Sequence, residues 1–189
     1  IGEPFDASGS PMPRCGIVHR LDKDTSGLII IAKNKSAFSY FKNLFQTRAI
    51  QKTYLALVLG TLKKQHGIID APLGRIGMKR TTKLSGKKLI DGKEAVTEYK
   101  VAKQYKNYSL LEVTPKTGRT HQIRVHLASI GHPVAGDPIY GRESKGISAP
   151  PRLFLHAFRL EFTTPGGDAI TLETDLPEDL AGFLKKGLE

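Results

Sequence analysis

The sequence predicts an α+β protein built on one large, mixed and mostly antiparallel β-sheet flanked by helices. Three observations point there. Residues 52–60, KTYLALVLG, alternate and are rich in β-formers. Residues 94–103 and 108–114 are two further β-rich runs joined by a turn around Lys106-Asn107. Residues 35–48 and 121–130 instead repeat their apolar side chains at helical spacing.

The elements follow in order. Residues 1–16, rich in Gly, Pro and Ser, read as an irregular lead-in. Residues 27–32 read as a buried strand, since Ile29-Ile30-Ile31 suits a pleated interior. In the 35–48 helix, Phe38, Phe41, Leu44 and Phe45 form an aromatic stripe expected to pack on the sheet as ordinary core. Residues 74–93 carry Arg75, Lys79, Arg80, Lys83, Lys87, Lys88 and Lys93 among glycines, a basic hairpin or flexible loop. Nucleic-acid backbone is one partner for it, and a solvated loop guarding a sheet edge is the other reading. Thr120 can cap the 121–130 helix, whose buried face would hold Ile123, Leu127 and Ile130, with Gly131 as its stop and Arg124 projecting beside that face. Residues 153–162 and 169–173 form a closing hairpin across Pro165-Gly166-Gly167, and residues 177–186 a terminal helix.

With 189 residues the chain suits one domain, 1–189. Its 39% hydrophobic and 25% charged residues fit a globular chain rather than a disordered one. Lys and Arg number 29 against 18 Asp and Glu, and a net charge of +11 favours a polyanionic partner. Neither a basic amphipathic helix nor a lipidation signal points to a membrane, so RNA or DNA leads. Cys15 stands alone, which excludes an internal disulfide and a multi-cysteine metal site and fits a reducing, cytoplasmic setting. A monomer is expected.

Two clusters could carry chemistry. HRLDKDTSG at 19–27 puts Asp22 and Asp24 in one charged turn, but neighbouring carboxylates in a loop are far more often solvated than paired as acid and nucleophile. The six histidines invite a metal, yet His121 and His126, five apart, point about 140° away from each other on a helix, and no metal site is expected. TGRTHQIRVHL at 117–127 runs a glycine turn into a helix N-terminus, which offers N–H groups and two arginines to an anion. An ordinary capped helix with exposed basic residues is the competing reading.

Taken together, HRLDKDTSGLIIIAKN at 19–34, KTYLALVLG at 52–60, TGRTHQIRVHLASIGHPVAGDPIYG at 117–141 and LFLHAFRLEFTTP at 153–165 resemble the RluA family of pseudouridine synthases. The resemblance implies that family's fold, with a central RNA-binding cleft, and conversion of RNA uridine to pseudouridine without cofactor or metal. It implies Asp22 as the catalytic carboxylate, attacking sugar or base or removing a sugar proton. Arg124 would hold that carboxylate charged and aimed, a task for which lysine lacks the planar fork. Tyr54 matches the aromatic that stacks on the target base and assists proton transfer at C5. Arg20 matches the residue that wedges into the gap left by the flipped uridine, against a plain salt bridge to Asp24. Arg75, Lys79, Arg80, Lys83, Arg119 and His121 would bind RNA, and His19 would order the loop. Ribosomal RNA is the favoured substrate, transfer RNA the next. A non-catalytic RNA-binding module and a nucleoside hydrolase or glycosylase are the alternatives. The chain opens on Ile1-Gly2-Glu3-Pro4 and departs from the family pattern, without an upstream strand segment or a small N-terminal RNA-binding domain.

Overall fold

The structure, a computed structural model, describes residues 16–76, 79–82, 90–142 and 146–186. The longest strands are β2 (Gln51–Leu59), β7 (Val96–Gln104), β8 (Tyr108–Pro115) and β9 (Leu155–Thr163). With β1 (Ser26–Gly27), β3 (His66–Asp70) and β10 (Ala169–Glu173) they form a seven-stranded sheet in the order β1-β9-β2-β8-β7-β3, β10 also pairing with β9. The β1–β9 pairing is parallel and the others are antiparallel, so the sheet is mixed and mostly antiparallel. Three strands, β4 (Leu73–Ile76), β5 (Lys79–Thr82) and β6 (Ile90–Lys93), make a second small sheet in the order β5-β4-β6. The basic stretch is thus strand-paired where it is described, and Lys83, Lys87 and Lys88 lie outside the described residues.

Alternation along β2 assigns the two faces of the large sheet. Ala56 and Val58 point into a core with Leu111, Val113, Leu155 and Leu127 of α2 (Gln122–Ser129). Leu57, between them, points the other way and packs with Phe154 and with Leu180 of α3 (Glu178–Lys186). The sheet is therefore covered on one face by α2 and on the other by α3.

Three local expectations are corrected. The isoleucine run is not a buried strand: Ile29 and Ile31 are 45% and 56% exposed, and pairing with β9 stops at Gly27. There the backbone takes φ +114°, and after Leu28 N–H donates to Ala157 O the chain peels away. The next bonds are local, Ile30 N–H to His19 Nε2 and an isolated bridge between Ile31 and Ile17. α1 (Lys35–Gln46), capped by Asn34, buries none of its residues completely. Its aromatic stripe does meet the sheet, Phe41 lying edge-on to Phe162 of β9, and Phe45 stacks on His19, but as a half-buried face rather than as core. α2 is not amphipathic: residues 122–127 are all buried, Arg124 included, because the helix is wedged between the large sheet and β5 of the small one. Its N-cap is His121 in the left-handed region (φ 57°), not Thr120, while Gly131 (φ 88°) does follow its C-terminus.

Candidate active site

The turn that ends in β1 places Asp22 at the wall of a cleft of about 740 Å³, a size that encloses a nucleotide-sized group. Thr25 N–H closes that turn on Asp22 O at 3.0 Å. Thr25 Oγ1, in the same turn, is buried with no hydrogen-bond partner among the described residues, a polar defect of the kind that gathers at functional sites. His19 fixes the turn from the other side: its Nε2 accepts from Ile30 N–H at 2.8 Å and its ring lies 4.4 Å from that of Phe45. Burial and, next, the charge of Lys52 push the His19 pKa down to about 4, so it is a neutral acceptor rather than an acid at neutral pH.

α2 brings Arg124 to Asp22. The side chains are 5% and 16% exposed, and Arg124 Nη1 donates to Asp22 Oδ2 at 3.2 Å. The better half of the guanidinium is spoken for elsewhere: Nε and Nη2 donate to Asp137 Oδ2 and Oδ1 at 2.7 and 2.8 Å. Asp137 is wholly buried and also accepts Ile139 N–H and Tyr140 N–H on Oδ1, at 2.9 and 3.1 Å. Burial opposes its charge, but those donors outweigh burial and hold its carboxyl below the usual range. The bidentate bond goes to Asp137, and Asp22 receives one longer contact. It is aimed without being consumed, and Asp22 Oδ1 has no partner among the described residues. Tyr140 completes the support, its ring 5.2 Å from Arg124 Cζ and its hydroxyl 2.9 Å from His121 Nδ1. That contact holds His121 in its left-handed conformation, one an L side chain adopts at a cost of about 1–2 kcal/mol.

Tyr54 lies in the floor of the cleft, and a bulge between Thr53 and Tyr54 shifts the β2–β9 register there. Bulges re-aim side chains beside active sites, and this one sits at the tyrosine. Burial, then the charge of Asp22, push the phenol up to about 12, so Tyr54 is protonated throughout the physiological range.

The remaining wall is the 117–121 turn. Gln122 organises it: Oε1 accepts from Thr117 Oγ1 and Arg119 N–H, and Nε2 donates to Val96 O and Thr97 Oγ1. Arg119 reaches across to Glu94 O through Nε. Of the expected site residues, Asp22, Tyr54, Arg124, Arg20, Arg119 and His121 all line this one cleft. Arg20 is exposed and makes no ion pair with Asp24 among the described residues. Arg75 is exposed on β4 and is not among the cleft's described lining residues, and Lys79 and Arg80 stand on β5 opposite Ile76 and Arg75. Lys83 lies outside the described residues. Sequence reasoning missed Asp137, Gln122 and Tyr140. The histidines of the helix are accounted for without a metal role: His126 Nε2–H donates to Ala71 O, which leaves Nδ1 to accept from Thr97 Oγ1.

The cleft is basic, lies against a mixed sheet and holds one aspartate steadied by a buried arginine. Comparison with known proteins gives the family. Residues 7–129 match the family model described as RNA pseudouridylate synthase. The chain is 47% identical over 183 residues to ribosomal large subunit pseudouridine synthase D of Nitrosomonas europaea, covering 93% of this chain and 52% of that protein. It is 46% identical over 176 residues to an uncharacterized RNA pseudouridine synthase of Aquifex aeolicus, covering 87% and 54%. Among solved structures, human RNA pseudouridylate synthase domain containing 1 superposes with a TM-score of 0.77 at 31% identity, over 87% of this chain and 71% of that one. The chain belongs to the RNA pseudouridylate synthase family, a family of enzymes. It spans about half the length of the curated relatives it matches.

Proposed function

We propose that this chain converts uridines in structured RNA to pseudouridine, with Asp22 as the catalytic carboxylate. The single observation that carries the reading is the geometry of Asp22: it lines the cleft, is held by one bond from Arg124 and lies close enough to Tyr54 for its charge to help raise that phenol's pKa. The reaction breaks the N1–C1′ bond, turns the base and forms C5–C1′. The proton leaving C5 is matched by one gained at N1, so no outside reagent enters the balance. Asp22 supplies an electron pair, to the sugar or the base as a nucleophile or to a sugar proton as a base, and Arg124 fixes its direction. Tyr54, a neutral phenol in the floor, stacks on the everted base and can donate a hydrogen bond but not act as a base near neutral pH. Arg20, exposed at the cleft wall, refills the stack when the uridine leaves, offsetting a flipping cost of a few kcal/mol.

Ribosomal RNA is the favoured substrate, supported by the name of the Nitrosomonas relative, with transfer RNA as the second. The test is Asp22→Asn incubated with ribosomal and transfer RNA, pseudouridine being mapped by chemical labelling and reverse transcription. Wild type forms product, and the variant keeps its RNA affinity, which rests largely on phosphate contacts, while product disappears. Turnover by the variant would reject the catalytic role. Binding without turnover in the wild type would leave an RNA-binding module, and release of free uracil a glycosylase.

A further inference from the structure

The cleft wall carries more positive charge than its protein partners balance. Arg20, Arg48, Lys52, Lys116, Arg119 and Arg124 line it, and Asp22 is the one acidic side chain among its described lining residues. Lys116 pairs with Glu98, and Arg124 with Asp22 and Asp137. Among the described residues no carboxylate lies within salt-bridge distance of Arg48 or Lys52.

Both residues occupy positions that carry a cost. Arg48 follows Thr47, the C-cap of α1, in the left-handed conformation (φ 61°), the position glycine occupies most cheaply at a helix end. Lys52 is half-buried on β2 beside the Phe45 ring, its Nζ 6.0 Å from the centroid, and an added Cβ at Gly118 would lie 3.9 Å from Nζ. Burial first, and then the neighbouring Arg48 charge, lower the Lys52 pKa, so two like charges crowd one another at a partly desolvated spot. A strained arginine and a half-buried lysine are both retained at a loss of stability. The Phe45 ring and the helix-end hydrogen bonds offset part of that loss, but no carboxylate among the described residues balances the two charges, and an anion from outside would.

We propose that Arg48 and Lys52 form a phosphate-gripping subsite that holds the backbone of the single RNA strand entering the cleft, opposite the Gly118 turn. The absence of a side chain at Gly118 leaves the Lys52 ammonium open from that side. The proposal rests on the reading of this cleft as an RNA site and adds residues that steer the strand without touching the reacting base.

The test uses the whole chain, with a short single-stranded oligouridylate as probe and affinity measured from low to physiological salt. Lys52→Met keeps the apolar stem against Phe45, and Arg48→Gly relieves the backbone. Each should bind about tenfold more weakly at low salt, the loss of one charged hydrogen bond. Each should also lower the log–log salt slope by about 0.7, one single-strand phosphate contact. Lys52→Arg should restore the slope, and Lys63→Met, outside the cleft, should leave it unchanged. In the free protein both cleft variants should melt at or above the wild-type temperature. An unchanged slope overturns the subsite, and so does a lowered melting temperature or failure to fold, which would make these residues structural. If the slopes fall as expected while wild type forms no pseudouridine in cellular RNA, the subsite stands and the proposed reaction fails.

Discussion

Asp137→Asn separates aiming from chemistry. In the structure Asp137 Oδ1 accepts three hydrogen bonds, from Arg124 Nη2, Ile139 N–H and Tyr140 N–H, while Oδ2 accepts one, from Arg124 Nε at 2.7 Å. An asparagine oriented to keep the Oδ1 set sets its amide donor against the Nε donor. One charge-assisted bond is lost, and a buried guanidinium faces Asp22 as its one remaining carboxylate. Losing a hydrogen bond to a charged group removes about 1.5–3 kcal/mol, and breaking a buried pair outright about 3–5. Since three of the four bonds survive, about 2–4 kcal/mol is expected, less than the ~5–15 kcal/mol that holds a typical domain folded. Urea denaturation should show that loss with an unchanged slope. The larger effect is on turnover: Arg124, no longer locked from behind, lets Asp22 wander, and a shift of about 1 Å at a reacting group can remove ~10²-fold. The kcat for pseudouridine formation should fall about 10²-fold with RNA affinity intact. The Asp22→Asn/Asp137→Asn double variant should be no slower than Asp22→Asn alone, as for residues acting as a unit. A variant that loses stability as predicted but turns over at the wild-type rate would refute the positioning role.

Three further outcomes follow from the same structure. Because the Tyr54 phenol is pushed up to about 12, kcat should show no tyrosine ionisation between about pH 7 and 10, and Tyr54→Phe should slow the reaction without changing the profile's shape; an inflection near pH 9 that vanishes in the variant would contradict this. His19, His126 and His156 all have pKa values lowered chiefly by burial, so the unfolded chain binds protons the folded one refuses, and their contribution to stability is whole above the ordinary value of about 6.5 and declines as pH falls below it. The urea midpoint should therefore drop between about pH 7 and 5, and His126→Gln should flatten that drop. At Gly27 an added Cβ would sit 2.3 Å from Ala157 O and 2.6 Å from Ala157 N at φ +114°, so Gly27→Ala should cost on the order of 3 kcal/mol and, by shifting the turn that carries Asp22, lower activity more than stability; calorimetry alongside turnover checks both.

The large sheet was legible because its long strands obey local rules. β2, β7 and β8 are rich in β-formers, β8 alternates in burial, and the turn between β7 and β8 falls where Lys106-Asn107 puts it. β3 escaped because its burial alternates while its sequence does not: Ile69 is buried, the adjacent Ile68 is two-thirds exposed, and the other inward position is Gly67. The isoleucine run misled for the opposite reason: its composition fits a strand, but a long-range contact, Gly27 pressed on the Ala157 backbone, ends the pairing before the isoleucines begin. α2 was misread as amphipathic because its polar residues, Gln122, Arg124 and His126, satisfy themselves inside the protein, and a helical wheel assigns such residues to water.

That same limit explains the site. Asp22, Tyr54 and Arg124 were legible through the motifs that hold them, yet Asp137 lay unremarked within a quoted motif thirteen residues after Arg124. An isolated Asp before Pro138 looks like a turn former, and two of its four bonds, to Ile139 N–H and Tyr140 N–H, are those of a turn former. The other two come from a helix packed above it and exist only once α2 is buried. A carboxylate that caps a turn with one oxygen and clamps the guanidinium with both is indistinguishable in sequence from one that only caps. The physical difference is accessibility: at 0% side-chain exposure a charged aspartate needs compensating donors, and Arg124 is the cation that supplies two of them. The arginine thus serves two carboxylates unequally, gripping Asp137 bidentately and touching Asp22 once, and this inequality leaves the second oriented toward the cleft with one oxygen uncommitted among the described residues, as the proposed chemistry requires.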